Sequence, residues 1–325
     1  MKGIVYLIAN FGGPRTLKEV EHFLRALLTD RDVLRTGLPQ VINYMLFYYV
    51  AKKRAKKVTH DYAKIGNGSP IYYDTEAIAD ALRQTLNKPV LTFHRYLPAT
   101  HKLFRQTLEQ LCCDEIRVFP MFPQFTFATT GSIARFFKKN LTKNVVQKMR
   151  WIKSYPTHPS FVAVIQKMIR DYLVEHQLKE EETILLFSAH GLPQSYITGG
   201  DPYQGECEAS FNRVMELFPK LIGRLSFQSK FGKGEWIRPY TIDVCKQINE
   251  WSQGRAQVVF VPISFTSDHI ETLFEIETEY MPVVEKNGLK AYRLPAMNRR
   301  EDWIKAIQKI ACEITPVSNQ MLIRP

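Results

Sequence analysis

Apolar residues along this chain follow two alternating rhythms. Short runs rich in β-branched and aromatic residues occur at Gly3–Ala9, Pro89–Phe93, Glu115–Phe119, Arg150–Lys153, Thr183–Ala189, Arg224–Gln228, Ala256–Pro262 and Lys290–Leu294, and read as strands. Several are apolar throughout, among them Ile184-Leu185-Leu186-Phe187 and Val258-Val259-Phe260-Val261. A strand with no polar face is covered on both sides, as in a parallel sheet flanked by helices. Helical spacing fills the gaps: Phe161, Val164, Ile165, Met168, Ile169, Tyr172 and Leu173 form one amphipathic stripe. Thr16-Leu17-Lys18-Glu19 has capping-box spacing at the start of another helix. Gly66-Asn67-Gly68-Ser69-Pro70 reads as a tight turn before a helix beginning near Asp74, since it lacks the glycine spacing and the Lys-Ser/Thr of nucleotide-binding loops. Repeated β–α alternation predicts an α/β, doubly wound architecture. Eight strands are many for one such sheet, so two similar halves are expected, meeting near Tyr155–Pro159.

Composition narrows the picture. The chain has 325 residues, 45% hydrophobic and 23% charged, an ordinary globular balance. No apolar run approaches the ~20 residues that span a bilayer. The opening Met1-Lys2-Gly3-Ile4-Val5-Tyr6-Leu7 lacks the length and cleavage site of a signal peptide. A cytoplasmic location is therefore expected. Cys112, Cys113, Cys207, Cys245 and Cys312 show no C-x-x-C spacing and read as small hydrophobes in a reduced compartment. The formal charge is +12, and Lys52, Lys53, Arg54, Lys56 and Lys57 follow the apolar stretch Tyr44–Val50. No nucleic-acid motif accompanies the charge, so no nucleic-acid partner is expected. The segment either docks peripherally on anionic lipid or turns its apolar stripe to the core.

In an open parallel sheet, ligands bind beyond the carboxyl ends of the strands. His190 stands there, in Ser188-Ala189-His190-Gly191-Leu192-Pro193, where it can serve as base or metal ligand. After another strand come Asp268, His269 and then Glu271, Glu275 and Glu279 at four-residue intervals, an acidic line with no Lys or Arg among it. Such a line is repulsive in an isolated helix and suits the passage of a divalent cation or protons. Phe125, Phe127 and Trp236 suit a large flat apolar ligand if they face a cleft. Arg95-Tyr96 can meet a carboxylate.

Together these segments resemble the ferrochelatase family. Ser188–Pro193 followed by Gly200-Asp201-Pro202-Tyr203 is similar to one family signature, and Phe227-Gln228-Ser229-Lys230 with Trp236 and Pro239-Tyr240-Thr241 to a second. The most specific runs from Phe260 through Ser264-Phe265-Thr266-Ser267-Asp268-His269-Ile270-Glu271 to Leu273. Asn10-Phe11-Gly12-Gly13-Pro14, Ile65–Pro70, Arg95-Tyr96 and Thr129-Thr130-Gly131-Ser132 also match, in family order.

The resemblance implies two Rossmann-like lobes, each a parallel sheet flanked by helices, spanning 1–155 and 156–299, with a porphyrin cleft between them. A C-terminal helix near 300–315 would pack back on the first lobe. His190 and Glu271 would form the catalytic and metal-handling pair, within a polar network of Asp268, His269 and Glu275. Phe11, Tyr62, Arg95, Tyr96, Trp236 and Phe265 would contact the porphyrin. The implied substrates are protoporphyrin IX and ferrous iron, with no permanently bound cofactor. No cysteine-rich tail follows Cys312, so no iron–sulfur cluster is expected. Phe11, where coproporphyrin enzymes of the family tend to place Tyr, favours protoporphyrin. The alternatives are a coproporphyrin or cobalt chelatase, or a haem or porphyrin carrier; a monomer is expected.

Overall fold

The computed structural model describes residues 3–232 and 234–324; Met1, Lys2, Lys233 and Pro325, and with them the start of the opening segment, lie outside it. The chain divides into two compact units, one of Met1–Ser154 with Ile307–Pro325 and the other of Tyr155–Ala306.

The first unit runs β1 (Ile4–Asn10), α1 (Val20–Leu28), α2 (Gln40–Lys64), α3 (Pro70–Leu86), β2 (Val90–His94), α4 (Pro98–Gln110), β3 (Glu115–Pro120), α5 (Thr130–Asn140), α6 (Lys143–Lys148) and β4 (Met149–Trp151). The second contains α7 (Pro159–Glu175), β5 (Thr183–His190), α8 (Gln194–Thr198), α9 (Tyr203–Met215), β6 (Ile222–Gln228), α10 (Thr241–Lys246), α11 (Ile248–Trp251) and β7 (Gln257–Pro262). A π-helix (Glu271–Tyr280) follows, then α12 (Met281–Lys286) and β8 (Lys290–Arg293). Helix α13 (Glu301–Glu313) crosses the unit boundary, and β9 (Val317–Ser318) returns to the first sheet.

All eight expected strands form, with ends displaced by at most two residues. Their orders are β2-β1-β3-β4-β9 and β6-β5-β7-β8, so the first four strands of each sheet share one topology. Every pairing is parallel except β4 with β9. Strand β9, two residues long and antiparallel, carries no pattern that a sequence reading could catch. Ile184–Phe187 and Val258–Val261 are essentially inaccessible, as two-sided burial requires. On α7, Phe161, Val164, Ile165, Met168, Ile169 and Leu173 are buried, each worth roughly 1.5–3 kcal/mol of transfer free energy.

Two local expectations are corrected. Thr16 makes no capping hydrogen bond. The Glu19 carboxylate instead accepts the Arg15 backbone N–H at 2.8 Å and the Arg15 guanidinium, because a cation one residue further back competes better for it than a neutral N–H. Helix α3 begins at Pro70, four residues before Asp74, with proline in the first turn where its missing N–H costs nothing. The turn ahead of it is as expected: Gly66 and Asn67 have positive φ, and Ser69 N–H bonds Pro14 O at 2.7 Å. A Cβ on Gly68 would lie 2.6 Å from Arg15 O, which is why glycine stands there.

Candidate active site

Strand β5 delivers His190 at its carboxyl end. The chain must then turn under a neighbouring strand: Gly191 N–H bonds Gln228 O at 2.9 Å, and a Cβ on Gly191 would meet that oxygen at 2.7 Å and the Trp236 ring at 3.2 Å. Trp236 therefore lies over the residue next to His190. The His190 backbone N–H is held by Ser264 Oγ at 2.9 Å. Its ring Nδ1 lies 2.7 Å from Glu271 Oε2, the first residue of the π-helix, and both side chains are only partly exposed, 29% and 22%.

Burial alone would pull the His190 pKa down, but the charges of Glu271 and Glu275 and the Glu271 hydrogen bond outweigh it, and the net shift is upward. Burial likewise pushes Glu271 up, yet His190 and His269 hold its carboxyl well below the usual range. Each partner thus favours the charged form of the other. One turn on, burial and the charge of Glu271 push Glu275 up to about 8 against the opposing pull of the Ser229 hydroxyl. Neighbouring carboxyls driven apart in this way divide the work, one anionic and one holding a proton near neutral pH.

The line of acids lies on a π-helix, whose i→i+5 bonding is rare and gathers at functional sites. It runs from half-buried Glu271 and Glu275 to exposed Glu279. Gln228 ties its first turn to the sheet, donating to the Glu271 carbonyl at 2.9 Å and to Glu275 Oε2 at 3.3 Å while accepting from Ser188 Oγ at 2.5 Å. Ser229, in left-handed conformation, donates its hydroxyl to Glu275 Oε2 at 2.6 Å and its N–H to Tyr280 Oη at 3.2 Å.

His269 is buried, its ring 4.1 Å from that of Phe265, which stands edge-on to His190 at 6.2 Å. His269 Nε2 comes within 3.4 Å of Glu271 Oε2, but the angle does not make a hydrogen bond, so this contact is electrostatic. Asp268 differs from the rest of the expected network. Its two oxygens accept from Thr272 Oγ1 (2.8 Å), Arg293 Nη1 (2.9 Å), Asn298 Nδ2 (2.8 Å) and Ala296 N (3.2 Å). A carboxylate so fully engaged braces the start of the helix.

Among the expected residues of the first unit, Phe11 follows β1 and packs on Tyr96 and Phe122, with ring centres 5.1 and 4.8 Å away. Arg95 is not a surface cation waiting for a ligand. It donates to Asp30 Oδ2 at 2.6 Å and to Ser132 Oγ at 3.1 Å, while the Tyr96 and Ser132 hydroxyls donate to the same Asp30 oxygen at 3.0 and 2.6 Å. Tyr96 and Tyr62 are 0% and 2% exposed, so as placed they offer no ring face to a ligand. Because Asp30 collects three donors at a buried site, Asp30→Ala should destabilise the chain by about 3 kcal/mol or more, measurable as a lowered Tm.

The family model for ferrochelatase matches residues 3–314. Ferrochelatases of Chlamydia felis and Chlamydia pneumoniae are similar to this chain at 44% identity over 322 residues and 42% over 319, covering 99% and 98% of it and 99% and 96% of their own lengths. The chain belongs to the ferrochelatase family. Among solved structures, it resembles CbiX, the terminal enzyme for sirohaem biosynthesis in denitrifying bacteria, with TM-score 0.52 at 14% identity over 95% of this chain and 99% of that one. The sirohydrochlorin chelatase SirB of Bacillus subtilis subspecies spizizenii, solved with cobalt, gives 0.51 at 10% over 96% and 95%. At such identities the likeness establishes the chelatase-type α/β fold alone.

Within this ferrochelatase fold, one cluster gathers His190, Glu271, Glu275, His269, Phe265 and, over Gly191, Trp236. Sequence reading gave no role to Gln228, Ser229, Ser264, Asp30 or Arg293. Gln228 and Ser229 stand at the carboxyl end of β6, where the strand-end rule could have found them. His94, at the end of β2, is also buried and bonds Glu76 Oε1 at 2.8 Å through Nε2.

Proposed function

We propose that this chain inserts Fe²⁺ into protoporphyrin IX, a lyase reaction that forms protohaem as the last step of haem synthesis. The 2.7 Å His190–Glu271 pair, at the carboxyl end of β5 in a chain of the ferrochelatase family, carries the reading. Metalation releases two pyrrole protons for each Fe²⁺ bound. A histidine that keeps its own proton can accept no other, so His190 acts in its deprotonated form, and Glu271 stabilises the imidazolium produced as each of the two pyrrole protons is taken in turn. Between the two, the acidic line through Glu275 leads the proton towards exposed Glu279. The freed imidazole takes a pyrrole proton or meets the arriving metal. Among the described residues no three His, Cys, Asp or Glu side chains are grouped to hold a metal. In this reading iron passes through as substrate, completed by the porphyrin nitrogens, and no resident cofactor takes part. Trp236 and Phe265 supply the apolar surface for the ring, while Asp268 positions the helix. An anaerobic assay with Fe²⁺ and either protoporphyrin IX or coproporphyrin III tests this. Multiple turnovers with the former are expected; a single bound equivalent would indicate a carrier, and preference for the latter a coproporphyrin enzyme.

No described helix is long and apolar enough to cross a membrane. We further propose that the chain works from the cytoplasm and docks peripherally on anionic lipid through α2. Val41, Met45 and Tyr49 are 70%, 66% and 66% exposed, which supports docking over a core-facing stripe, and Lys52, Lys53, Arg54, Lys56 and Lys57 beside them are exposed too. The first unit holds 27 Lys and Arg against 12 Asp and Glu, a net +15, whereas the second holds 17 against 20, a net −3. Apolar insertion and ~1 kcal/mol per basic residue act together at such a surface. Co-sedimentation with anionic vesicles should be strong at low salt and weaken as salt rises. Equal binding to neutral vesicles, unaffected by salt, would refute the electrostatic docking.

A further inference from the structure

The π-helix is tied to the sheet on one side by Gln228 and Ser229, and a separate grip holds it elsewhere. Arg293, the last residue of β8, is 13% exposed and spreads its guanidinium between two acids. Nη1 donates to Asp268 Oδ1 at 2.9 Å, and Nε donates to Glu277 Oε1 at 2.7 Å. Asp268 lies three residues before Glu271 and Glu277 six residues after it, so one rigid planar fork spans the turn that carries the catalytic carboxylate. Asp268 is itself locked to the loop after β8: Asn298 Nδ2 donates to it at 2.8 Å while Asn298 Oδ1 accepts the Asp268 N–H at 2.8 Å. Thr272 Oγ1, in the helix's first turn, also donates to Asp268 at 2.8 Å.

We infer that Arg293 is a positioning residue for metalation: by gripping Asp268 and Glu277 together, it sets where the widened helix presents Glu271 to His190. The physical need follows from the helix type. An i→i+5 helix is less stable than its i→i+4 counterpart, and relaxing to the latter turns every residue beyond the first turn about the axis. Glu277 would then leave Arg293, so the ion pair opposes that relaxation. Lysine cannot replace the fork, because it places one compact charge where two directed donors are needed.

The inference rests on Glu271 acting at the reacting centre, and its test is a double-mutant cycle in the full chain. R293M should lower kcat roughly 10–100-fold, the cost of a misplacement on the ångström scale, with the porphyrin Kd from fluorescence quenching within twofold of wild type. R293K should recover part of the loss, and E277Q, which cuts only the more exposed half of the grip, should cost less than R293M. In the E271Q background R293M should cost nothing further, since a residue acting through Glu271 has nothing left to position. The Nδ1 proton resonance of His190 gives a readout independent of turnover: R293M should shift or broaden it, and R293K should restore it in part. Losses that multiply across the cycle, or an unchanged His190 resonance in R293M, would overturn the role of Arg293. Should R293M fail to fold, E277Q carries the same cycle and the same resonance test. A wild-type chain unable to metalate porphyrin would overturn both this inference and the function on which it rests.

Discussion

His190→Ala is expected to abolish metalation, a loss of at least ~10²–10⁴-fold, while leaving porphyrin affinity within a few-fold of wild type. General acid–base catalysis by a positioned side chain contributes on that scale, and here the same imidazole is hydrogen-bonded to the Glu271 carboxylate at 2.7 Å. The fold should survive, because the contact that pins the end of β5 uses the His190 backbone N–H and Ser264 Oγ, neither of which the substitution removes. Ring binding should survive as well, since Trp236 packs over Gly191 and Phe265 stands beside the site through contacts of their own. Glu271 would lose its main source of positive charge and rise towards the ordinary carboxylate range, so the variant removes both the base and the cation that its carboxylate faces. Porphyrin quenching with full amplitude alongside no product marks this outcome. Turnover within a few-fold of wild type would show that the chemistry lies elsewhere.

The sheets were legible because burial on both faces leaves an unbroken apolar run, as in Ile184–Phe187, and helices long enough to show their stripe, such as α7, were legible for the same reason. His190 and the line of acids stood out because a strand end and a run of like charge are local features. What escaped depends on partners distant in sequence. Arg95 reads as a lone cation until Asp30, 65 residues earlier, is brought to it. Asp268 reads as part of a conduit until Arg293 and Asn298, 25 and 30 residues later, occupy its oxygens. The helix type was hidden for another reason. Acids four residues apart share a face in either an α- or a π-helix, so side-chain spacing carries no information about the backbone bonds that distinguish the two. Exposure of the α2 stripe also depends on what the rest of the chain leaves uncovered, and the pattern of its residues is the same whether it faces core or solvent.

Glu271→Gln should lose most activity and Glu275→Gln distinctly less, for a reason that lies in their charge states. Glu271 is ionised at rest, so an amide there deletes the charge that stabilises the His190 proton and the acceptor that receives it. Glu275, pushed up to about 8, is mostly protonated at neutral pH; an amide reproduces that neutral form, can still accept from Ser229, and removes only the capacity to relay a proton. The pH profile separates the two further. Turnover requires His190 without its proton, so kcat/KM should rise with pH through the raised His190 pKa, above the usual histidine value. Glu271→Gln removes the strongest upward influence on His190, and the acid limb of the residual activity should move to lower pH even as its plateau falls. Glu275→Gln removes a weaker upward influence and should move the limb less, while abolishing any inflection near pH 8. Should Glu275→Gln prove the more damaging of the two, or should the acid limb stay in place in Glu271→Gln, then protons leave by another route and the acidic line has been given the wrong direction.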